Sequence, residues 1–560
     1  MLITKKFKAF KAPLPQSLLT FLFLAPSAFF SFQDLHDGYV IQTALMFENF
    51  VAGSSFVPFS QYGPLWSLVL GLVSLMSSPD LLLISIRFFS IFCYSASMYL
   101  LFGIVQLLTK KMPSPIINFF FISSWYFFGP YHGWPSTFVL PLSLTCFAIF
   151  SDLMLNSQKW RAKALFIGSL VALIQFGRLQ VGFLLLFAFI FLFLFFGLKR
   201  YVYFLLIGYS IVVAITFFTL NTQRVLYDSL YDLVIFPYGF HLSAERGATR
   251  IPIWTILIAL FVLAAIRLDK TFFDSSLRKV FRFTIYFLLT TSTLIVICDL
   301  MIPSDISYWL RWRLLQRLYV GIFLGLLLSC LLEFGLILRS AKKKSLLCIR
   351  VDQINFGLSV LALAVYSQNY PLFSSHHTWY SSLPILLVSY ILLREKLENP
   401  NNPRHKKGNS LVITLLVSTI GIWTINHSIN AVRAPFEQIV WVSQEESVKY
   451  SAVKEFLDKN VERGSSLHNF CTTPIVFVIR PDVTPASRIF LWWEHFEDFS
   501  QYRIAAKKKA EFALVCGERL TVFDSLFNSA NWTQKATLEG VNLSLYKRVP
   551  ELIILSNTND

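Results

Sequence analysis

Long apolar runs separated by short polar segments fill most of the chain, from about residue 14 to residue 427. A run of roughly 20 apolar residues is long enough to cross a bilayer as a helix, and few other structures need one. The pattern therefore predicts an all-α polytopic membrane bundle. The predicted spans, about thirteen, are 14–31, 81–108, 115–130, 136–154, 164–178, 181–198, 201–219, 252–267, 282–301, 318–338, 355–371, 381–394 and 410–427.

Basic residues indicate how this bundle is oriented. Lys5 and Lys6 precede the first apolar run, so we expect the N-terminus in the cytoplasm. The apolar piece 64–78 has only about 15 residues, and it decides the register of all later loops. If it stays outside, the basic tracts at 110–111 and 159–163 are cytoplasmic, as the positive-inside rule requires. The polar loops 32–80 and 221–251 and the C-terminus are then extracytoplasmic.

The pattern changes at about residue 429 and predicts a small α/β domain. Glu445–Glu455 reads as an amphipathic helix, and Ile475–Ile479 as a buried strand. Ala513–Cys516 reads as a second strand and Leu543–Tyr546 as an edge strand. We therefore predict a transmembrane domain over 1–428 and an extracytoplasmic domain over 429–560.

Composition supports the membrane assignment and excludes other classes. Hydrophobic residues make up 55% of the chain and charged residues 14%, whereas a soluble protein has about 25% charged residues. The net charge of +17 comes from tracts between apolar runs. Nucleic-acid binding is not predicted, because the sequence shows no basic soluble face interleaved with aromatic residues. The seven cysteines contain no CxxC pair. Cys471 and Cys516 alone fall in the C-terminal domain, where the sequence allows a disulfide without fixing it.

The most concentrated candidate chemistry lies just after the first span. Asp34, His36 and Asp37 fall within four residues, and Gly38 follows Asp37. A carboxylate beside another carboxylate or a histidine can act as a general base. Two other interpretations remain open: Asp37 is the N-cap of an amphipathic helix over 39–50, or the three side chains bind a metal ion.

Other polar residues fall on the same predicted face and are candidates for the same site. Each of them also has an interpretation that needs no function. Arg178 lies at a bend between two helices and also fits an arginine that snorkels to the interface. His376 and His377, and likewise His132 with Trp134, fit an aromatic interfacial belt. Arg246 and Arg250 fit a solvated loop.

Three motifs in the first loop resemble the GT-C superfamily of integral-membrane glycosyltransferases, which includes protein O-mannosyltransferases and aminoarabinose transferases. They are Asp37-Gly38-Tyr39, the stretch 49–53 ending in Gly53, and Gln61-Tyr62-Gly63-Pro64-Leu65. Gly38 stands where relatives carry a second acid, and Gly63 where many carry proline. The motifs that carry this resemblance all lie within the first 80 residues.

The resemblance implies an enzyme that moves a sugar, with inversion, from a polyprenyl-phosphate donor to a glycan, lipid or protein acceptor. It implies Asp37 alone as catalytic base, and Asp34 and His36, which lie beside it in the sequence, are supporting candidates. It implies no cofactor, leaves room for a divalent cation, and points to a bacterial inner membrane. The residues it suggests for the donor phosphate and lipid are Arg178, Arg246, Arg250, His376 and His377.

Two other functions remain as alternatives. A secondary transporter or lipid flippase would carry an internal repeat and ionisable residues at mid-membrane, whereas this chain has long outer loops and a soluble tail. A polysaccharide ligase or polymerase would carry its large loop late in the chain and seldom end in a folded outer domain.

Overall fold

The computed structural model describes eleven ranges of five or more residues, together with a few shorter stretches and single residues between them. Side chains at 34–36, 49 and 346–352 lie outside this description, although their helical backbone is inside it. The ranges are 13–30, 34–51, 63–110, 132–223, 346–366, 431–435, 439–471, 475–486, 510–516, 532–539 and 542–548.

Helices dominate these ranges, and all the strands fall after residue 430. The helices are α1 Leu14–Leu24, α2 Ser27–Phe30, α3 Asp34–Val51, α4 Pro64–Leu75, α5 Leu82–Thr109, α6 Pro135–Leu155, α7 Trp160–Gly177, α8 Leu179–Phe195, α9 Lys199–Thr222, α10 Leu346–Tyr366, α11 Gln444–Asn460 and α12 Val476–Ile479. A 3-10 turn covers Pro79–Leu81. The strands are β1 Ala431–Arg433, β2 Trp441–Ser443, β3 Ser466–Phe470, β4 Thr484–Pro485, β5 Phe512–Cys516, β6 Trp532–Leu538 and β7 Leu543–Arg548.

Within the described ranges, three helices are long and apolar enough to cross a membrane: Pro79–Thr109, Pro135–Leu155 and Lys199–Thr222. Shorter apolar helices cover Leu14–Phe30, Pro64–Leu75, Leu179–Phe195 and Gln353–Tyr366. The mostly helical architecture with a small C-terminal sheet is therefore as predicted. The count of about thirteen spans stays a prediction, because most of 252–338 and all of 410–427 lie outside the described residues.

The chain divides into two compact units. Unit 1 comprises residues 1–28 and 88–429, and unit 2 comprises residues 29–87 and 430–560. Unit 2 thus joins the first polar loop, with α3 and α4, to the C-terminal sheet. The domain limits 1–428 and 429–560 stay a prediction.

Close packing of α7 against α9 organises unit 1. A Cβ added at Gly168 would collide with the backbone of Leu205, and one added at Gly208 with that of Leu165. The Ser169 hydroxyl donates to the Gly208 carbonyl at 3.2 Å. Small residues at such a crossing let helix backbones approach closely, which is how helices associate in lipid.

In unit 2, the middle of α3 is buried on every side. All nine residues from Tyr39 to Phe47 are at most 9% exposed, so the prediction of an amphipathic helix here is wrong. The helix α4 covers one side, and a Cβ at Gly71 would collide with the Phe47 ring. The elements α12 and β4 of the C-terminal domain also pack against α3. The side of the helix that the sequence pattern predicts to face solvent is therefore covered by other elements of unit 2.

The C-terminal sheet has the strand order β4-β3-β5-β7-β6. Strand β3 is parallel to β4 and β5, whereas β7 is antiparallel to β5 and β6. The predicted strand at Ala513–Cys516 is confirmed as β5. The predicted strand at Leu543–Tyr546 is confirmed as β7, but it lies inside the sheet and not at its edge.

Two further features of this domain depend on tertiary contacts. The predicted strand at Ile475–Ile479 is wrong, because Val476–Ile479 forms the one-turn helix α12. A short apolar run fits a buried strand and a buried helix equally well. Cys471, just after β3, and Cys516, at the end of the neighbouring β5, form a disulfide.

Candidate active site

An ion pair inside unit 2 involves the strongest sequence candidate, Asp37. Arg87 Nη2 donates to Asp37 Oδ2 at 2.6 Å, and the two side chains are 0% and 5% exposed. Asp37 lies in the first turn of α3, and Arg87 lies in the second turn of α5. The N-cap interpretation of Asp37 is therefore wrong, since α3 begins at Asp34. Two charges this deeply buried are costly unless they are paired.

The helical register of α3 separates the two supporting candidates. Positions 34 and 37 are three apart and share one face of a helix, whereas position 36 is rotated by about 100° from position 37. Their side chains lie outside the described residues.

Polar and aromatic contacts fix α3 against α4. The rings of Tyr39 and Trp66 stack with centroids 5.3 Å apart. At the other end of the helix, the Ser74 hydroxyl donates to Glu48 Oε2 at 2.6 Å. One contact lies two residues after Asp37 and the other about three helical turns after it. Together they fix the position of the helix that carries the carboxylate.

Arg178 belongs to unit 1 and is 9% exposed, so it is not a snorkelling arginine. It forms the extended link between α7 and α8. Its Nη2 donates to Ser136 Oγ at 3.1 Å, and its guanidinium carbon lies 5.8 Å from the centroid of the Trp134 ring. Trp134 and Ser136 are the N-cap and second residue of α6. The guanidinium therefore lies at the positive end of a helix, a combination that favours an anion.

The turn before α6 is tied to neighbouring helices of unit 1. Gly133 has a φ of 72° and donates its N–H to Ser90 Oγ at 2.6 Å. His132 Nε2 lies 3.3 Å from the carbonyl oxygen of Ser27. Both His132 and Trp134 are 3% exposed, so the prediction of an interfacial belt is wrong for these residues. The turn that carries Trp134 is therefore fixed where it contacts Arg178.

The remaining predicted site residues, Arg246, Arg250, His376 and His377, lie outside the described residues. Among the residues that are described, no three His, Cys, Asp or Glu side chains come close enough to hold a metal ion. At Asp37 a guanidinium already occupies Oδ2, and its charge disfavours a divalent cation on the same oxygen.

Sequence reasoning missed Arg87 and Ser136. Arg87 had a detectable signal, since it is the only charged residue in the apolar run from 81 to 109, and an ionisable residue in such a run marks a functional or paired position. Ser136 had no signal, because serines are common in apolar helices.

No protein-family model matches the chain, and no curated protein matches it. The chain is similar to the crystal structure of the Archaeoglobus fulgidus oligosaccharyltransferase complex with Zn and sulfate, with 10% identity, a TM-score of 0.46, and 90% of this chain and 68% of that chain covered. It is also similar to ArnT from Cupriavidus metallidurans bound to undecaprenyl phosphate, with 10% identity, a TM-score of 0.39, and 96% and 98% covered. Similarity at this level carries no conclusion about activity.

Proposed function

We propose that the chain is a membrane glycosyltransferase that moves a sugar from a polyprenyl-phosphate donor to an acceptor on the outer face of the membrane. The observation that carries the proposal is the Asp37 carboxylate, fixed by Arg87 at 2.6 Å in the helix that follows the first span. It stands in the motif on which the GT-C resemblance rests. A positioned carboxylate is the group that this reaction needs as a base.

In the proposed reaction the acceptor hydroxyl or amine attacks the anomeric carbon of the donor sugar. A new bond forms between the acceptor atom and that carbon, while the bond from carbon to phosphate oxygen breaks. The acceptor proton goes to Asp37, and the electron pair leaves with the polyprenyl phosphate. Attack opposite the leaving group inverts the configuration. Because Asp37 is 5% exposed, it is shielded from bulk water that would otherwise compete with the acceptor.

Arg87 has a positioning role in this proposal. Its guanidinium is fully buried and restricts the carboxylate to one orientation, and such preorganisation raises the rate by avoiding reorientation during the reaction. Asp34 and His36 remain supporting candidates.

We assign the donor phosphate to Arg178. The guanidinium, the Ser136 hydroxyl and the first turn of α6 all favour negative charge at one place. Arg246, Arg250, His376 and His377 stay predicted contacts of the donor phosphate or lipid. The reaction as written needs no metal ion.

The disulfide supports the proposed orientation of the chain. Cys471–Cys516 lies in the C-terminal domain, and disulfides persist in oxidising compartments such as a bacterial periplasm. An extracytoplasmic C-terminal domain, a cytoplasmic N-terminus and a bacterial inner membrane are consistent with this bond.

The experiment compares Asp37→Asn with the double variant Asp37→Asn/Arg87→Gln. Cells lacking the protein are complemented with each variant, and their surface glycans and lipids are analysed by mass spectrometry. The single variant leaves a buried guanidinium beside a neutral amide, so inactivity could reflect misfolding. The double variant removes both charges. We expect it to fold and to remain inactive, because the base is still absent.

The matched control is Asp152→Asn/Lys163→Gln, which removes a more exposed ion pair of 2.8 Å in unit 1 and should retain activity. Full transfer by the Asp37→Asn/Arg87→Gln variant would contradict the assignment of Asp37 as base. Cellular glycans and lipids that are identical with and without the protein would contradict the transferase itself.

A further inference from the structure

The C-terminal domain reaches α3 through one short, fully buried segment. The four residues of α12, Val476 to Ile479, are each at most 1% exposed. A helix of one turn can be buried this completely only if it has partners on opposite sides. In unit 2 one of these partners is α3, against which α12 packs.

Arg480, the residue after α12, ties this segment to the rest of its domain. Its Nε and Nη2 donate to the two carboxylate oxygens of Asp482 at 2.7 and 2.6 Å. Its Nη1 donates to Asp458 near the end of α11 at 3.1 Å and to the Val461 carbonyl at 3.3 Å. The side chain is 6% exposed. A planar fork with this many bonds fixes both the angle and the depth of the segment.

Two other contacts of the domain reach the same part of the chain. The Ile439 N–H donates to the carbonyl of Asp80 at 3.3 Å, and the rings of Trp441 and Phe30 lie 6.4 Å apart. They hold the domain before α3 and after α4, whereas α12 and β4 pack on α3 itself. The position of α3 is therefore set by α4 and by the C-terminal domain together.

We propose that residues 476–480, the clamp segment, position α3 and with it the Asp37–Arg87 pair, so that Arg480 is a positioning residue for the transfer reaction. This inference rests on the proposed function for its effect on catalysis. A displacement of about 1 Å at a reacting group can cost roughly a hundredfold in rate, so a loosened clamp lowers kcat. It leaves the binding of polyprenyl phosphate unchanged, because Arg178 belongs to unit 1.

The test uses the full-length chain with Arg480→Met. Three quantities are measured: amide hydrogen exchange, binding of undecaprenyl phosphate, and kcat for transfer. We expect faster exchange over residues 39–47, unchanged exchange over α7 to α9, unchanged binding, and a kcat lowered roughly ten- to a hundredfold.

Lys454→Met is the matched control. It removes a different partner of the same Asp458, in an i,i+4 pair whose side chains are 30% and 43% exposed, and it should change none of the three quantities. Arg480→Lys keeps the charge and loses the planar fork, so it serves if Arg480→Met does not fold. We expect it to show the same pattern with a smaller amplitude.

Faster exchange confined to β3 and β5 would show that Arg480 stabilises its own domain only, and would overturn the inference. Unchanged exchange over residues 39–47 in both variants would overturn it as well. Faster exchange over residues 39–47 in Arg480→Met, combined with no transfer activity in the wild-type chain, would support the clamp and reject the proposed function. The two failures are therefore distinguishable.

Discussion

Arg87 in unit 2 and Arg178 in unit 1 are both buried arginines, but the side chains that they contact differ. Arg87 donates to a carboxylate at 2.6 Å. Arg178 donates to the neutral hydroxyl of Ser136 and lies against Trp134 at the positive end of α6. The first arrangement neutralises charge within the protein. The second places a guanidinium beside a helix N-terminus, where the helix dipole also favours an anion.

In the proposed function, the two residues therefore have different roles. A guanidinium in an ion pair orients its partner, and its loss harms the fold first. A guanidinium at a helix N-terminus attracts a phosphate, and its loss harms binding first. Burial alone does not distinguish the two roles, whereas the identity of the partner does.

The largest expected effect is on stability, from Arg87→Met. The variant leaves the Asp37 carboxylate buried without its guanidinium, which costs about 3–5 kcal/mol of unfolding free energy. Chemical denaturation in detergent micelles measures this, and adding Asp37→Asn to the same chain should recover most of the loss. Lys163→Met is the control, since its pair with Asp152 is more exposed and should be worth about 1 kcal/mol or less. Equal losses for the two variants would remove the distinction between buried and surface pairs.

Next in size is the loss of the disulfide through Cys471→Ser/Cys516→Ser. The bond links residues 45 apart, and removing such a cross-link costs about 2–4 kcal/mol. We expect faster hydrogen exchange in β3, β5 and α3, all of which belong to unit 2. Undecaprenyl phosphate binding should be unchanged, and weakened binding would show that the Arg178 site depends on unit 2.

Arg178→Gln tests the other side of the comparison. We expect the affinity for undecaprenyl phosphate to fall about ten- to a hundredfold, which is about 1.4–2.7 kcal/mol, because a charge-assisted bond to the phosphate is lost. The affinity of Arg178→Lys should lie between those of the wild-type chain and Arg178→Gln, since lysine keeps the charge but lacks the planar guanidinium. Arg161→Gln, at the exposed N-terminal end of α7, is the control. Native mass spectrometry or fluorescence titration measures the affinities, and an unchanged value for Arg178→Gln would contradict the phosphate role.

The smallest effect concerns pH and the clamp segment. Burial opposes ionisation of Asp482, but its hydrogen bonds and the charge of Arg480 outweigh this and hold the pKa of the carboxyl below its ordinary value. The resulting stability is fully present above the unfolded pKa and is lost as the pH falls through the folded pKa, so it fades below about pH 5. Protection of residues 39–47 against hydrogen exchange, corrected for the intrinsic pH dependence of amide exchange, should therefore fall in acid for the wild-type chain. The change should be smaller in Asp482→Asn, and an equal change in both would exclude this carboxylate as its source.

Much of the architecture could be predicted from the chain alone, because apolar length and charge placement act locally. The predicted spans at 81–108, 136–154 and 201–219 match α5, α6 and α9 within a few residues. Ser443 caps α11 with Glu446 in a capping box, a local signal that places the amphipathic helix beginning near Glu445. The predicted helix at the first span and the strand β5 rest on the same local periodicity.

The tertiary structure decided which of these residues act together. Asp37 and Arg87 are 50 residues apart, and no local pattern joins them. The four apolar residues of α12 fit either a strand or a helix until α3 and the sheet enclose them. The surfaces of α3 that read as solvent-facing are covered by α4 and by a domain almost 400 residues later. Periodicity depends on neighbours along the chain, whereas burial and charge pairing depend on neighbours in space.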